Sequence, residues 1–190
     1  MNALQLRRVL VLLLPVTVLA LTVTATTASG QSINCVEHSE TMRSGTLVSC
    51  IPDRVESVKT GKDVTVSCDK GFMLALFDNG TLESCLLTSD RTFSTGDRTS
   101  VHCNRATPVS LFRNGDLKSC APTRDEDIAG GSGPTRRCGQ YRAVSFFPNG
   151  DLEACTLRRD ETISAGGKTD TCERGKSVTL TEKGQMRSCR

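Results

Sequence analysis

Apolar and polar residues alternate with a period of two along repeated stretches of this chain. The stretch LFRNGDLKSC, ending at Cys120, recurs as LFDNGTLESC ending at Cys85 and as FFPNGDLEAC ending at Cys155. Less regular copies, TMRSGTLVSC and LTEKGQMRSC, end at Cys50 and Cys189. A period of two is typical of half-buried strands. The pattern therefore predicts five β-hairpins, and no segment after residue 31 shows the period of a helix.

The cysteines define the length of the repeat. They form two interleaved series that each step by about 35 residues, and a glycine stands five residues before each cysteine that ends a hairpin. Such self-similarity indicates a repeat architecture. The sequence predicts an all-β fold of tandem repeats of about 35 residues, in which five hairpin units and four connecting segments form an elongated meander or solenoid-like array. The turn glycines are Gly45, Gly80, Gly115, Gly150 and Gly184.

The distribution of apolar residues between the two faces of each hairpin indicates the length of its turn. Asn-Gly between two strands usually indicates a two-residue turn, but that register would mix apolar and charged residues on each face. A three-residue loop with a left-handed glycine instead places Leu76 opposite Leu82 and Leu111 opposite Leu117. The same register is expected to put the hairpin cysteines on the less apolar face, together with Phe77, and to let the connecting segments cover part of that face.

The ten cysteines predict five disulfides. Their number is even, and no two of them are closer than fifteen residues, whereas metal sites usually need close pairs. One bond per unit uses all of them. A rival series beginning with Cys50–Cys68 would leave Cys35 and Cys189 without partners in the series. The expected pairs are Cys35–Cys50, Cys68–Cys85, Cys103–Cys120, Cys138–Cys155 and Cys172–Cys189.

Residues 1–30 have the pattern of a signal peptide, and residues 31–190 would form the repeat domain. Two arginines precede the apolar run from Val9 to Val23, and small residues follow it. The run is short for a membrane span of about 20 residues, although an uncleaved anchor is the alternative. We expect the mature chain to begin between Ser29 and Gln31, to be secreted or periplasmic, and to have no membrane span after cleavage.

Composition narrows the classes of partner. The chain has 24 Lys and Arg against 21 Asp and Glu, which is too even to favour nucleic acid or an anionic membrane surface. It has no Trp, one Tyr and six Phe, a small supply for a large core. The disulfides are therefore expected to contribute to its stability.

The stretch FxNGxLxSC resembles the variant MORN repeats of bacterial β-hairpin proteins, in which NGxL closes successive hairpins. The likeness covers about ten residues of each repeat. This chain differs in its period, in its cysteines, and in lacking the Tyr, the Trp and the second glycine of that pattern. The resemblance implies a single-layer run of hairpins used for binding or scaffolding, and it carries over no catalytic residue.

No catalytic residue is predicted. Serines beside cysteines, such as Ser84, Ser119 and Ser188, lie on repeated strands, and the chain has no G-x-S-x-G motif. We interpret His38 and His102 as surface or strand residues rather than as general bases.

No metal and no cofactor is predicted either. Asp90, Asp125 and Asp160 recur in the connecting segments and could hold calcium, but aspartates also form turns by bonding to nearby backbone. The second interpretation is the simpler one. The glycine-rich stretch from Ile128 to Cys138 lacks the Lys-Ser/Thr of a phosphate-binding loop.

These patterns favour an exported, non-enzymatic binding protein with an unknown protein or polysaccharide partner. The alternatives are a structural envelope or surface component and, third, an enzyme inhibitor or hydrolase. Departures from the repeat in the third and fourth connecting segments are rich in arginine. The candidate contact residues are Arg136, Arg137, Arg158 and Arg159.

Overall fold

The described residues of this all-β fold form twenty antiparallel strands. The computed structural model describes residues 22–96, 99–129, 135–165 and 167–190, and none of these residues is helical. Among them, accordingly, no helix is long and apolar enough to cross a membrane. The strands are β1 (Thr22–Thr26), β2 (Ser32–Val36), β3 (Thr41–Arg43), β4 (Thr46–Cys50), β5 (Glu56–Lys59), β6 (Thr65–Cys68), β7 (Leu74–Leu76), β8 (Leu82–Leu86), β9 (Arg91–Ser94), β10 (Ser100–Cys103), β11 (Pro108–Leu111), β12 (Leu117–Cys120), β13 (Glu126–Ile128), β14 (Arg136–Cys138), β15 (Val144–Phe146), β16 (Leu152–Thr156), β17 (Glu161–Ala165), β18 (Lys168–Cys172), β19 (Ser177–Leu180) and β20 (Met186–Cys189).

The chain contributes its hairpins alternately to two layers. Every second hairpin joins one ten-stranded sheet, in the order β20-β19-β16-β15-β12-β11-β8-β7-β4-β3. The connecting hairpins, β1-β2, β5-β6, β9-β10, β13-β14 and β17-β18, remain separate two-stranded sheets. Isolated bridges, such as Cys68 to Leu87, link a connecting hairpin to the residues that follow the next sheet hairpin. The repeat is therefore a stack of hairpin pairs and not the single layer that the resemblance implies.

All five disulfides form as expected and join the two layers. Each links the second strand of a connecting hairpin to the second strand of the next sheet hairpin, with Cα atoms 5.6–5.9 Å apart. In a flat meander Cys68 and Cys85 would stand nearly 10 Å apart, too far for a disulfide. Cys68 instead lies in the layer above, and the chain reverses at Gly71, whose φ is 76°.

The three-residue turn is confirmed. Leu76 pairs with Leu82 and Leu111 with Leu117, and all five turn glycines have positive φ. The next pair, however, is Ala75 with Ser84, because Glu83 is an extra residue in a β-bulge. A bulge shifts the following side chains to the opposite face.

The bulge corrects the predicted faces of the hairpin. Cys85 returns to the buried side together with Leu82 and is 3 % exposed. The connecting hairpins consequently cover the leucine face, where Val58 and Val66 join the same buried cluster. Phe77 and its equivalents therefore lie on the face of the sheet opposite the described connecting hairpins, which is the reverse of the expected arrangement.

A fifth connecting hairpin precedes the four that the sequence revealed. β1 pairs with β2 over five residues, from Thr22 opposite Val36 to Thr26 opposite Ser32. Ala25 and Ile33 belong to the common core. Residues 22–30 thus lie in the folded array although they fall within the segment whose sequence has the pattern of a signal peptide.

Candidate functional site

One face of the ten-stranded sheet is not covered by any connecting hairpin among the described residues, and we call it the open face. Its centre is a row of small side chains that runs from strand to strand. The strand pairing places Ser49 beside Ala75, Ser84 beside Ser110, and Ser119 beside Ser145. These side chains are partly exposed, whereas Cys50, Cys85 and Cys120, which follow Ser49, Ser84 and Ser119, are buried. Small residues here leave a shallow floor that a long molecule could approach closely.

An aromatic row borders this floor. Phe77, Phe112 and Phe147 each follow the first strand of a sheet hairpin and are partly exposed. Successive members lie two strands apart, which corresponds to about 9.5 Å. In the last unit Thr181 takes the equivalent position. The row thus places three phenyl rings at a regular spacing.

The bulges add charge beside the aromatic row. Because a bulge leaves two consecutive residues facing outward, Glu83, Lys118, Glu153 and Arg187 all lie on the open face. Their signs alternate from unit to unit, so the face has no strong net charge. This balance favours an uncharged ligand or one with mixed charge over a polyanion.

One aromatic side chain is held by an ion pair from the next unit. The Arg113 guanidinium lies 5.4 Å from the centre of the Phe77 ring and contacts the Asp78 carboxylate. The hydrogen bond from Arg113 lowers the pKa of Asp78, and the same contact raises that of Arg113. Such a cation over an aromatic ring restricts its orientation.

Shallow depressions recur along the open face. One of about 290 Å³ lies between Phe77, Glu83 and Arg113. A second, of about 330 Å³, is bordered by Phe72, Met73 and Pro108. A third, of about 370 Å³, is lined by Phe147, Thr181 and Arg187 among others. Depressions of this kind can accept successive units of an extended ligand better than one enclosed small molecule.

A larger depression of about 550 Å³ lies at the N-terminal end of the array. It is lined by β1, by Glu37 and Glu40, and by Met42. The Glu40 Oε1 atom is buried without a hydrogen-bond partner among the described residues. His38, two residues before Glu40, is exposed with a φ of 63°. The described residues contain no group of three or more potential metal ligands here or elsewhere.

The four candidate arginines lie in or next to the connecting hairpins, and each is engaged with a carboxylate. Arg136 is only 2 % exposed and donates to Glu161 Oε2 at 3.3 Å. Arg159 donates to Oε1 of the same glutamate at 2.7 Å. Arg137 pairs with Asp127, and Arg158 donates to Asp125 at 3.1 Å. Arg158 and Arg159 are exposed and Arg137 is partly exposed, whereas the buried Arg136 occupies an inward position that is valine in two earlier hairpins.

The aspartate row bonds to backbone as expected, but to the loop 14 or 15 residues further on and not to the turn beside each aspartate. Asp90 accepts a hydrogen bond from the backbone N–H of Arg105, and Asp125 from that of Gln140. Asp160 does the same for Arg174. The bond from Gln140 is the main cause that lowers the pKa of Asp125, with a further contribution from Arg158. Each aspartate therefore fixes the loop that enters the next unit.

The second histidine is part of an ion-pair cluster rather than of a nucleophile–base pair. His102 Nδ1 lies 3.0 Å from Glu126 Oε1, and Arg124 contacts both side chains. His102 belongs to a connecting hairpin, whereas Ser84 and Ser119 lie on the open face of the sheet. Much of the glycine-rich stretch after Ile128 falls at residues 130–134, outside the described residues.

A comparison with protein-family models, curated proteins and solved structures found no match for this chain. The resemblance to MORN-like repeats therefore stays a prediction. The sequence pattern predicts that the phenylalanines of the aromatic row lie under the connecting segments, and this prediction is wrong. The signal that it lacked was the bulge residue, which alters neither the length nor the period of the repeat.

Proposed function

We propose that this chain is an exported, non-enzymatic binding protein that holds an extended polysaccharide along its open face. The observation that carries the proposal is the aromatic row beside a continuous floor of small, partly polar side chains. Sugar rings present apolar faces that stack on aromatic side chains and hydroxyl groups that bond to serines. The spacing of Phe77, Phe112 and Phe147, about 9.5 Å, is comparable to the length of a disaccharide in a β-1,4-linked chain.

Three further features support this proposal over the alternatives. The alternating charges of the open face suit a neutral polymer better than nucleic acid. The groups that could perform catalysis, such as His102 and Asp125, are used in contacts between repeats. Ten paired cysteines indicate an oxidising, extracellular or periplasmic environment, where such polymers occur.

The test is co-sedimentation of the oxidised protein with insoluble β-1,4-linked polysaccharides, such as cellulose, chitin and peptidoglycan. The variant replaces Phe77, Phe112 and Phe147 together by alanine. The matched control is Tyr141→Ala, because Tyr141 is an aromatic residue with 61 % exposure that lies in a loop outside the row. We expect the wild type and the control to sediment with at least one polysaccharide, and the triple variant to remain in the supernatant.

Two outcomes would refute the proposal. The first is the absence of retention on every polysaccharide tested. The second is retention that survives the triple substitution but is lost when Arg137, Arg158 and Arg159 are replaced by glutamine, since that would move the binding surface to the connecting hairpins. Circular dichroism of each variant checks that the fold is intact.

A structural role in a surface layer is the second candidate. One observation favours it: among the described residues, β3 and β20 each have a neighbour on one side only in the ten-stranded sheet. Unpaired edges can join copies of a protein end to end. Sedimentation velocity at rising protein concentration tests this role, and a constant monomer would exclude it.

A further inference from the structure

The first hairpin, β1-β2, is built like the other connecting hairpins of the array. Ala25 pairs with Ile33, and Val23 pairs with Cys35, the first disulfide cysteine. Ala25 is 8 % exposed, and Ile33 is fully buried. The hairpin closes with a hydrogen bond from Thr27 N to Gln31 O, and Thr27 is itself buried. β1 therefore completes the first repeat rather than preceding it.

The turn of this hairpin also makes the contact that is characteristic of the array. A Cβ atom on Gly80 would lie 2.7 Å from Ser29 N, so the turn at Ser29 rests directly on the second sheet hairpin. The equivalent contact places Lys62 N 2.6 Å from a Cβ on Gly115. The third example joins Thr95 O to Gly150. Residues 27–30 thus occupy a place that later repeats fill in the same way.

Removal of residues up to Gly30 would undo this arrangement. β2 would lose its ladder partner, and Ile33 would lose the cover of Ala25. Unpaired backbone groups and uncovered apolar side chains both cost stability. Cleavage between Ser29 and Gln31, as the sequence alone suggested, would therefore leave the first repeat incomplete.

We propose that the precursor is cleaved after Ala20, so that the mature chain begins at Leu21 and keeps the whole first hairpin. This inference rests on the proposed export. Val18-Leu19-Ala20 provides a small residue at the cleavage position, and Val9 to Leu19 is an apolar stretch of eleven residues. A signal peptide needs an apolar region of roughly 7–15 residues followed by such a site. Water hydrolyses the peptide bond between the Ala20 carbonyl and the Leu21 nitrogen, which leaves a carboxyl group on Ala20 and a free amine on Leu21.

The first experiment expresses the full precursor in a bacterial host and determines the N-terminus of the periplasmic protein by sequencing and intact mass. We expect Leu21. A first residue between Thr26 and Gln31 would overturn this inference while leaving export intact. An exported protein that retains Met1 would likewise overturn the inference and leave export intact, whereas a precursor that stays in the cytoplasm would overturn both.

Two substitutions separate the competing sites. Ala20→Phe should block processing and make the precursor accumulate, because the residue before the cleaved bond must be small. Ala28→Phe is the matched control, since Ala28 is exposed in the turn and lies next to the other candidate site. Normal processing of Ala20→Phe together with blocked processing of Ala28→Phe would refute the proposal.

A stability measurement provides a readout that does not depend on the peptidase. Oxidised proteins that begin at Leu21 and at Gln31 are compared by thermal unfolding. We expect the shorter protein to melt lower by about 5 °C or more, given the ladder and core contacts it lacks. Equal melting temperatures would show that residues 22–30 contribute nothing to the fold and would contradict the inference.

Discussion

Replacing Gly115 by alanine should weaken the fold far more than the same change at Gly45. Both glycines close a sheet hairpin, with φ values of 85° and 78°. A Cβ in this left-handed conformation costs about 1 kcal/mol. The two sites differ in their surroundings, because a Cβ on Gly115 would lie 2.6 Å from Lys62 N, whereas one on Gly45 would meet nothing within 4 Å.

The difference in surroundings sets the difference in stability. At Gly115 the turns of two layers must separate to admit a methyl group, and such overpacking costs roughly 1–3 kcal/mol in addition to the conformational term. We therefore expect losses of about 1 kcal/mol for Gly45→Ala and about 2–4 kcal/mol for Gly115→Ala. The Gly45 variant serves as the control for backbone strain alone.

Urea unfolding of the oxidised proteins measures both losses. With a slope of about 1–3 kcal/mol per molar urea, the midpoint of Gly115→Ala should fall by about 1 M or more. The midpoint of Gly45→Ala should fall by a fraction of that amount. Equal shifts would show that the close contact between the two layers is absent, and the description of the interlayer turns would then be wrong.

Three other predictions concern charges and disulfides. Burial favours the neutral form of Asp116, but hydrogen bonds from Lys62, Gly96 and Asn114 outweigh it and lower its pKa. The stabilisation by the charged carboxylate should therefore be complete above the unfolded pKa of about 3.9 and be lost as pH falls through the folded pKa. When the free energy of unfolding is measured against pH in acid, Asp116→Asn should give a flatter curve than the wild type, and an unchanged curve would contradict this. Arg136→Ala should cost about 1.5–3 kcal/mol by chemical unfolding, because Glu161 loses a buried charged hydrogen bond but keeps Arg159. Arg159→Ala, on the same carboxylate but exposed, should cost about 0–1 kcal/mol, and equal costs would contradict the buried position of Arg136. Non-reducing peptide mapping should join Cys68 to Cys85, and a fragment joining Cys85 to Cys103 would refute the pairing.

The hairpin register and the disulfide pairing could be predicted because they depend on local patterns. Leucines at fixed positions around a glycine permit one register that keeps them on a common face, and the structure confirms it for Leu76 and Leu82. The count and spacing of the cysteines likewise left few pairings. Each closed loop of about 17 residues can contribute around 3 kcal/mol by restricting the unfolded chain.

The choice of covered face could not be predicted, because it depends on one unpaired residue per hairpin. Glu83 at the bulge turns Cys85 back toward the leucines, and nothing in the repeat marks Glu83 as extra. The burial of Arg136 could not be predicted for a similar reason. An arginine in a strand is usually a surface residue, and its buried partner Glu161 belongs to the next unit.

The residues that connect the two layers also could not be predicted from the sequence. Asp116 accepts hydrogen bonds from the backbone of Gly96 at 2.9 Å and from Lys62 Nζ at 2.6 Å, so it joins two connecting hairpins to one sheet turn. These partners lie 20 and more residues away in the chain. The first hairpin was missed because its strand β1 overlaps an apolar run that has another obvious interpretation.

The most direct test of the proposed open-face function is a titration of the ¹⁵N-labelled, oxidised protein with a soluble β-1,4-linked oligosaccharide, followed by NMR. We predict that the largest shifts occur at Phe77, Phe112 and Phe147 and along the serine row between them, with the connecting hairpins unchanged. Shifts confined to Arg137, Arg158 and their neighbours, or no shift at millimolar ligand, would contradict the assignment of the open face as the binding surface.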